Sequence, residues 1–140
     1  MDDCIFCQIV AGKIPSFKIY EDETVYAFAD INPLQDGHTL VIPKVHFANI
    51  WELPTEVLGA IAAASQKVAT ALQSVLNPDG ICVMQLNGRG VNQIVMHYHM
   101  HLIPKKQGSR KFELTAWDPV PGDMDQIQAV SEKVAAQLSV

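Results

Sequence analysis

The stretch "VMHYHMHLIP", residues 95–104, holds three of the five histidines in this 140-residue chain. His97, His99 and His101 alternate with Met96, Tyr98, Met100 and Leu102. An extended strand sends successive side chains to opposite faces. Period two therefore gathers the three imidazoles on one face, neighbours about 6–7 Å apart, and leaves an apolar face to pack against a helix. Three imidazoles in a row could ligate a metal, act on a substrate, or form a solvated polar face. Solvated strand faces are ordinarily filled by Thr, Lys or Glu, and buried imidazoles need hydrogen-bond partners, so the third reading is the weakest. A His₃ catalytic metal centre is a real competitor at this point.

Working outward, "ICVMQLN" (81–87) has strand composition and is joined to the histidine segment (94–104) by the loop "GRGVNQ" (88–93). On the other side, "FKIY" (17–20) and "TVYAFADI" (24–31) read as a hairpin turning at "EDE" (21–23). "NPLQDG" (32–37) is a loop by its Asn-Pro and Asp-Gly pairs, and "HTLVIP" (38–43) is a further strand stopped by Pro43. Between Thr55 and Leu76 the period changes to three and four: Val57, Ile61, Ala64, Val68, Ala71, Leu72 and Val75 make one apolar helical face. "NPDG" (77–80) stops that helix, and Pro54-Thr55-Glu56 starts it. A second helix is expected over 123–139, with Ile127, Val130, Val134 and Leu138 in register and Asp123 as N-cap. The predicted fold is α+β: a single domain over residues 1–140, with a mainly antiparallel sheet covered by one long central helix and a C-terminal helix.

The formal charge of −5 and pI near 5.4 argue against a nucleic-acid partner, which would require a basic face. No apolar run approaches the roughly 20 residues of a membrane span, so no membrane partner is expected. The opening "MDDCIFCQIV" lacks a basic region ahead of an apolar one, and three cysteines do not make a disulfide framework. These features predict a cytoplasmic protein.

The pattern His-φ-His-φ-His-φ-φ, φ being apolar, is met at every position of "HYHMHLI", and the chain here resembles the histidine triad (HIT) family of nucleotide hydrolases and transferases. "CIFCQIVAGKIP", "YEDETVYAFADINPLQDGHTLVIPKVH" and "NGRGVNQ" extend the resemblance in order over residues 4–105. It implies a sheet of five antiparallel strands, a homodimer, and a purine nucleotide held over the histidine strand. It also implies cleavage at the α-phosphate of a nucleoside phosphoramidate or dinucleoside polyphosphate, with release of AMP or GMP. His99 would attack phosphorus to form a nucleotidyl-histidine intermediate, and His101 would donate to the phosphate. His38 matches a fourth active-site histidine. Gln93 and Asn87 match phosphate-loop residues, Asp30 the carboxylate that accepts the ribose hydroxyls, and Phe28 and Ile31 the walls of a base pocket. Cys4, Cys7, His46 and His97 match the Cys₂His₂ ligands of a structural zinc in the family's metal-containing branches. Trp117 is a candidate to reach the nucleotide site.

Two positions depart from the family pattern. Asn92 stands where glycine is common, and Asn tolerates left-handed backbone better than other side chains. Ile94 stands where Ser, Thr or Glu is frequent, which removes a donor near the leaving group. That loss motivates an alternative reading, a nucleotide-binding or signalling module with vestigial catalysis.

Overall fold

The computed structural model describes residues 3–109, 112 and 119–138; Trp117 lies outside them. In chain order the elements are α1 (Ile5–Val10), β1 (Lys18–Glu21), β2 (Val25–Ala29), β3 (Thr39–Pro43), α2 (Thr55–Leu76), β4 (Gly80–Gln85), β5 (Met100–Lys105) and α3 (Met124–Leu138). The five strands form one sheet in the order β1-β2-β3-β5-β4, every neighbouring pair antiparallel. The β1–β2 turn forms at the predicted acids, where Asp22 Oδ1 accepts from the amides of Thr24 and Val25, both at 2.8 Å.

Both faces of the sheet are covered, by different partners. Tyr98 and Leu102 point with Val25, Ala27 and Val41 to one face, where Ile61, Ala64 and Val68 of α2 close a buried cluster. Tyr26, Phe28, Leu40 and Ile42 point to the other, where Cys4, Phe6 and Ile9 around α1 cover them. The alternation in β2 and β3 thus reads apolar on both faces, as a strand covered on both sides should. α2 has its predicted limits and ends at Asn77, whose φ of 47° is left-handed. Its stripe holds through Ile61, Ala64, Val68 and Leu72 and continues through Leu76 beside Gly37, whereas Ala71 is exposed and Val75, off that face, is 80% exposed.

Three expectations need correction. The histidine strand is shorter than 94–104: the ladder begins only at Met100. Pro43, which the register would set opposite Tyr98, has no amide to donate, and β4 leaves the sheet after Gln85. Residues 95–97 bend, and the amide of Tyr98 instead donates to the carbonyl of Phe47 at 2.7 Å, with Tyr98 on the α2 face and the histidines on the other. The N-terminal "IFCQIV" is a helix, α1, started by Cys4, whose sulfur accepts from the Cys7 amide at 3.4 Å. The C-terminal helix forms where predicted, with Asp123 accepting from Asp125 and Gln126, but it does not cover the sheet: Ile127, Val130 and Val134 stay exposed.

Candidate active site and adjoining metal site

On the α1 face of the sheet a cavity of about 450 Å³ runs across the strands. That is within the size range of small-molecule sites. Phe28, Asp30 and Ile31 line it on and after β2, His38 and Leu40 before and on β3, His99 and His101 before and on β5, and Met84 and Leu86 on and after β4. Phe6, Ile9 and Ile14 close it from above. The sequence reading missed these last three, although a metal tying the N-terminal segment to the histidines would have placed them there. Phe6 meets Phe28 and His99 edge-on, with ring centroids 5.4 Å and 5.2 Å away.

The hydrogen bonds fix the tautomer of each imidazole, because a carbonyl can only accept and an amide can only donate. His99 Nδ1 lies 2.7 Å from the carbonyl oxygen of His97, so the proton is on Nδ1 and the Nε2 lone pair is free. His38 Nδ1 accepts from the Leu34 amide at 3.0 Å, so its proton is on Nε2 and is donated to His101 Nδ1 at 2.9 Å. His101 must then carry its proton on Nε2, as a donor. Burial pulls His99 and His38 below the usual histidine range, and burial first, then the neighbouring imidazoles, brings His101 down to about 4. All three rings are therefore neutral at pH 7: one nucleophile and one donor, each held in a single tautomer.

Asp30 lies 3.6 Å from His38 Nε2 and uses Oδ1 to accept from the Asn32 amide, leaving Oδ2 toward the cavity. Asp30, His38 and His101 lie close enough to suggest a second metal site. The Leu34 amide argues against it. A metal on His38 Nε2 would require a proton on Nδ1, where two N–H groups would then face each other.

Asn87 and Gln93 are not among the side chains lining the cavity. Gln93, 1% exposed, accepts from the Gly88 amide at 2.7 Å and donates to the carbonyls of Ala48 and Val95. Asn87 Oδ1 accepts from the Ile50 amide, and its side chain exchanges hydrogen bonds with Gln85. Both amides are spent on shaping the loop, so the structure does not place them on a ligand. Asn92 lines the cavity and adopts φ 74°, the left-handed conformation its position demands.

Beside the cavity, ligand atoms of Cys4, Cys7, His46 and His97 all lie within 4.8 Å of one another. The sulfur-to-Nδ1 distances are 3.4 Å (Cys4–His97), 3.6 Å (Cys7–His97) and 3.4 Å (Cys7–His46). Four tetrahedral zinc bonds of about 2.0–2.3 Å would separate sulfur from nitrogen by about 3.6 Å, so the set fits. The donor chemistry fits as well. His97 Nε2–H donates to the Pro43 carbonyl at 2.8 Å, which frees Nδ1 as a ligand. Without a cation, burial first, then the adjacent Cys4 sulfur, pushes the Cys7 thiol up to about 11.

A five-stranded antiparallel sheet carrying a neutral nucleophilic imidazole, a fixed imidazole donor and a carboxylate in one cavity defines a nucleotidyl-transfer histidine protein. Residues 11–108 match the HIT domain, and the chain belongs to that family. It is 40% identical over 140 residues to the Protein hit of Bacillus subtilis, covering 99% of this chain and 96% of that one. It is 37% identical to the adenosine 5'-monophosphoramidase HNT1 of Candida albicans, over 97% and 91% of the two chains. Among solved structures, SMU.412c of Streptococcus mutans superposes with a TM-score of 0.92 at 37% identity, over 99% of this chain and 87% of that one. A Zn-bound histidine triad family protein of Mycobacterium smegmatis superposes with a TM-score of 0.73 at 37% identity, over 79% and 84%.

Proposed function

We propose that this chain hydrolyses nucleoside 5′-phosphoramidates by way of a nucleotidyl-His99 intermediate. The observation that carries the reading is the orientation of His99, whose Nδ1–H is held by a backbone carbonyl while Nε2 is left as a neutral lone pair. Nε2 attacks the α-phosphorus and the P–N bond breaks. The departing amine takes a proton from water, while the Nε2–H of His101 holds a phosphoryl oxygen and His38 keeps its own proton in the bond from Nε2 to His101 Nδ1. Water then attacks phosphorus, the N–P bond breaks and the nucleoside monophosphate leaves. The positive charge that forms on His99 during attack is stabilised through its Nδ1–H by the His97 carbonyl.

The remaining assignments follow the cavity. Asp30 Oδ2 accepts from the ribose hydroxyls, and Phe28, Ile31, Phe6 and Ile9 wall the base. Cys4, Cys7, His46 and His97 would hold a structural zinc. Held by four protein ligands, such a metal would be structural and would fix α1 and the His97 carbonyl. Asn87 and Gln93 serve by holding the phosphate loop. A homodimer in the cytoplasm completes the reading. Among the described residues β4 has no strand on its outer edge, and Gly59, Ala62 and Ala63 of α2 present a small, exposed face. Relatives named as adenosine 5'-monophosphoramidases support the substrate class.

The test is release of AMP from adenosine 5′-phosphoramidate. The wild-type chain should turn it over and His99→Ala should lose activity by at least a thousandfold, with trapping of a 5′-nucleotidyl adduct in acid-quenched wild-type protein. Turnover unchanged in His99→Ala would end this reading.

A further inference from the structure

Two sulfurs of the Cys/His cluster and the roof of the nucleotide cavity belong to one short element. Cys4 starts α1 and Cys7 lies in its first turn, while Phe6 and Ile9 of the same helix close the cavity from above. Phe6 stands edge-on to His99, and His97, a third member of the cluster, carries the carbonyl that holds His99 Nδ1–H. A tie from Cys4 and Cys7 to His46 and His97 therefore also seats the roof over the nucleophile. The two cysteines are close enough to react with each other. The Cys4 sulfur accepts from the Cys7 amide at 3.4 Å and is in hydrogen-bond contact with the Cys7 thiol. Residues three apart on one helical turn need only a small adjustment to reach disulfide geometry. Cys82, the third cysteine, lies on β4 and is no member of the cluster. The pair is also reachable from outside the nucleotide cavity. A second cavity of about 430 Å³ opens on Cys4 and His46, with Asp3 and Arg89 as its other polar members. Ile5, Ile94 and Val95 line both cavities and so divide them.

We infer that Cys4 and Cys7 are an oxidation site: a hydroperoxide entering by the second cavity converts them to a disulfide, which releases the metal and unseats α1 from the nucleotide cavity. A cysteine that holds a metal is a thiolate, the form that attacks peroxide. One sulfur attacks the O–O bond, which breaks to leave a sulfenic acid and hydroxide. The second sulfur attacks the first, the S–S bond forms, and the oxygen departs as a second hydroxide. Two electrons pass from sulfur to peroxide, and two solvent protons turn the hydroxides into water. His46 and His97 then remain as two ligands where a stable structural site takes four. The inference rests on the metal and nucleotide assignments proposed above.

The full chain, loaded with zinc and treated with stoichiometric hydrogen peroxide, provides the test. It should release zinc to a chromogenic chelator, fall from three free thiols to one, and yield a Cys4–Cys7 disulfide on peptide mapping. Its affinity for AMP by calorimetry should drop about tenfold or more, since one aromatic wall over a base is worth at least that. Dithiothreitol with added zinc should restore both. Cys82→Ser should respond as the wild type does, and chelation without oxidant should weaken AMP binding to the same extent. Oxidation at Cys82 or Met96 with Cys4 and Cys7 intact, zinc retained in the disulfide form, or AMP affinity within twofold of untreated protein would each overturn the oxidation site while leaving His99 chemistry intact. Reduced protein that binds zinc but no AMP would overturn the nucleotide reading and the switch with it.

Discussion

His38 does not touch phosphorus in the mechanism above; it decides which nitrogen of His101 carries a proton. His38→Ala tests that directly. The Nε2–H to Nδ1 bond of 2.9 Å is the interaction that selects the His101 tautomer, and a neutral bond of this kind contributes about 1–1.5 kcal/mol. Its loss lowers the ratio of the two His101 tautomers by about tenfold, so the ring is no longer a fixed donor and kcat on adenosine 5′-phosphoramidate should fall by more than about twofold. The Leu34 amide also loses its acceptor, and a ring 3% exposed becomes a void, together costing about 2–4 kcal/mol of stability. His38→Gln separates the two effects. Its amide nitrogen reaches the place of Nε2 and should restore most of kcat, but it offers Leu34 nothing and should not restore stability. Nitrogen-15 spectra of the imidazoles should show His101 protonated at Nε2 in the wild type and as a tautomer mixture in His38→Ala. In a His101→Ala background, His38→Ala should cost no further rate. A kcat within twofold of wild type in His38→Ala, with His101 still protonated only at Nε2, would refute this role of His38.

Three other outcomes are expected. Chelation of the metal, or Cys7→Ser, should lower amide-exchange protection of residues 5–10 at least tenfold while sparing β2 and β3. Burial of Phe6 and Ile9 supplies about 3–6 kcal/mol, against about 6–12 kcal/mol to order the six residues of α1, and unchanged protection after complete metal loss would refute the cross-link. Gly37→Ala should destabilise by about 2–4 kcal/mol in urea melts. Its φ is +86°, and a Cβ there would come within 2.5 Å of Leu76 Cδ1. Stability should also fall as pH drops from 6.5 toward 4. His101 titrates at about 4 when folded and near 6.5 when unfolded, so in that window the unfolded chain binds more protons. Discounted for its partial exposure, the effect at pH 4.5 is about 2 kcal/mol, and the loss between pH 7 and 4.5 should be smaller by that amount in His101→Ala.

Period two at residues 97–102 was enough to divide the histidine face from the core face, although Met96 lies instead beside Cys4 and His46, and the three-and-four spacing over 55–76 delimited α2 to the residue. Those patterns are local, and burial follows them directly. The ordered motifs likewise pointed to the carboxylate, the histidines and the Cys₂His₂ set, because side-chain chemistry is written in the sequence. What the sequence could not hold was the partner of each polar group. Gln93 and Asn87 belong by motif to a phosphate loop, yet their amides are consumed by backbone groups of residues 48, 50, 88 and 95. The three tautomers depend on the carbonyls of Pro43 and His97 and the amide of Leu34, groups that every residue possesses and no motif can mark. In "HYHMH" the sequence by itself brought three imidazoles to one face. Only tertiary structure frees Nδ1 of His97, frees Nε2 of His99 and leaves the proton of His101 on Nε2, because a neutral imidazole takes its available atom from the hydrogen bond made by its other nitrogen.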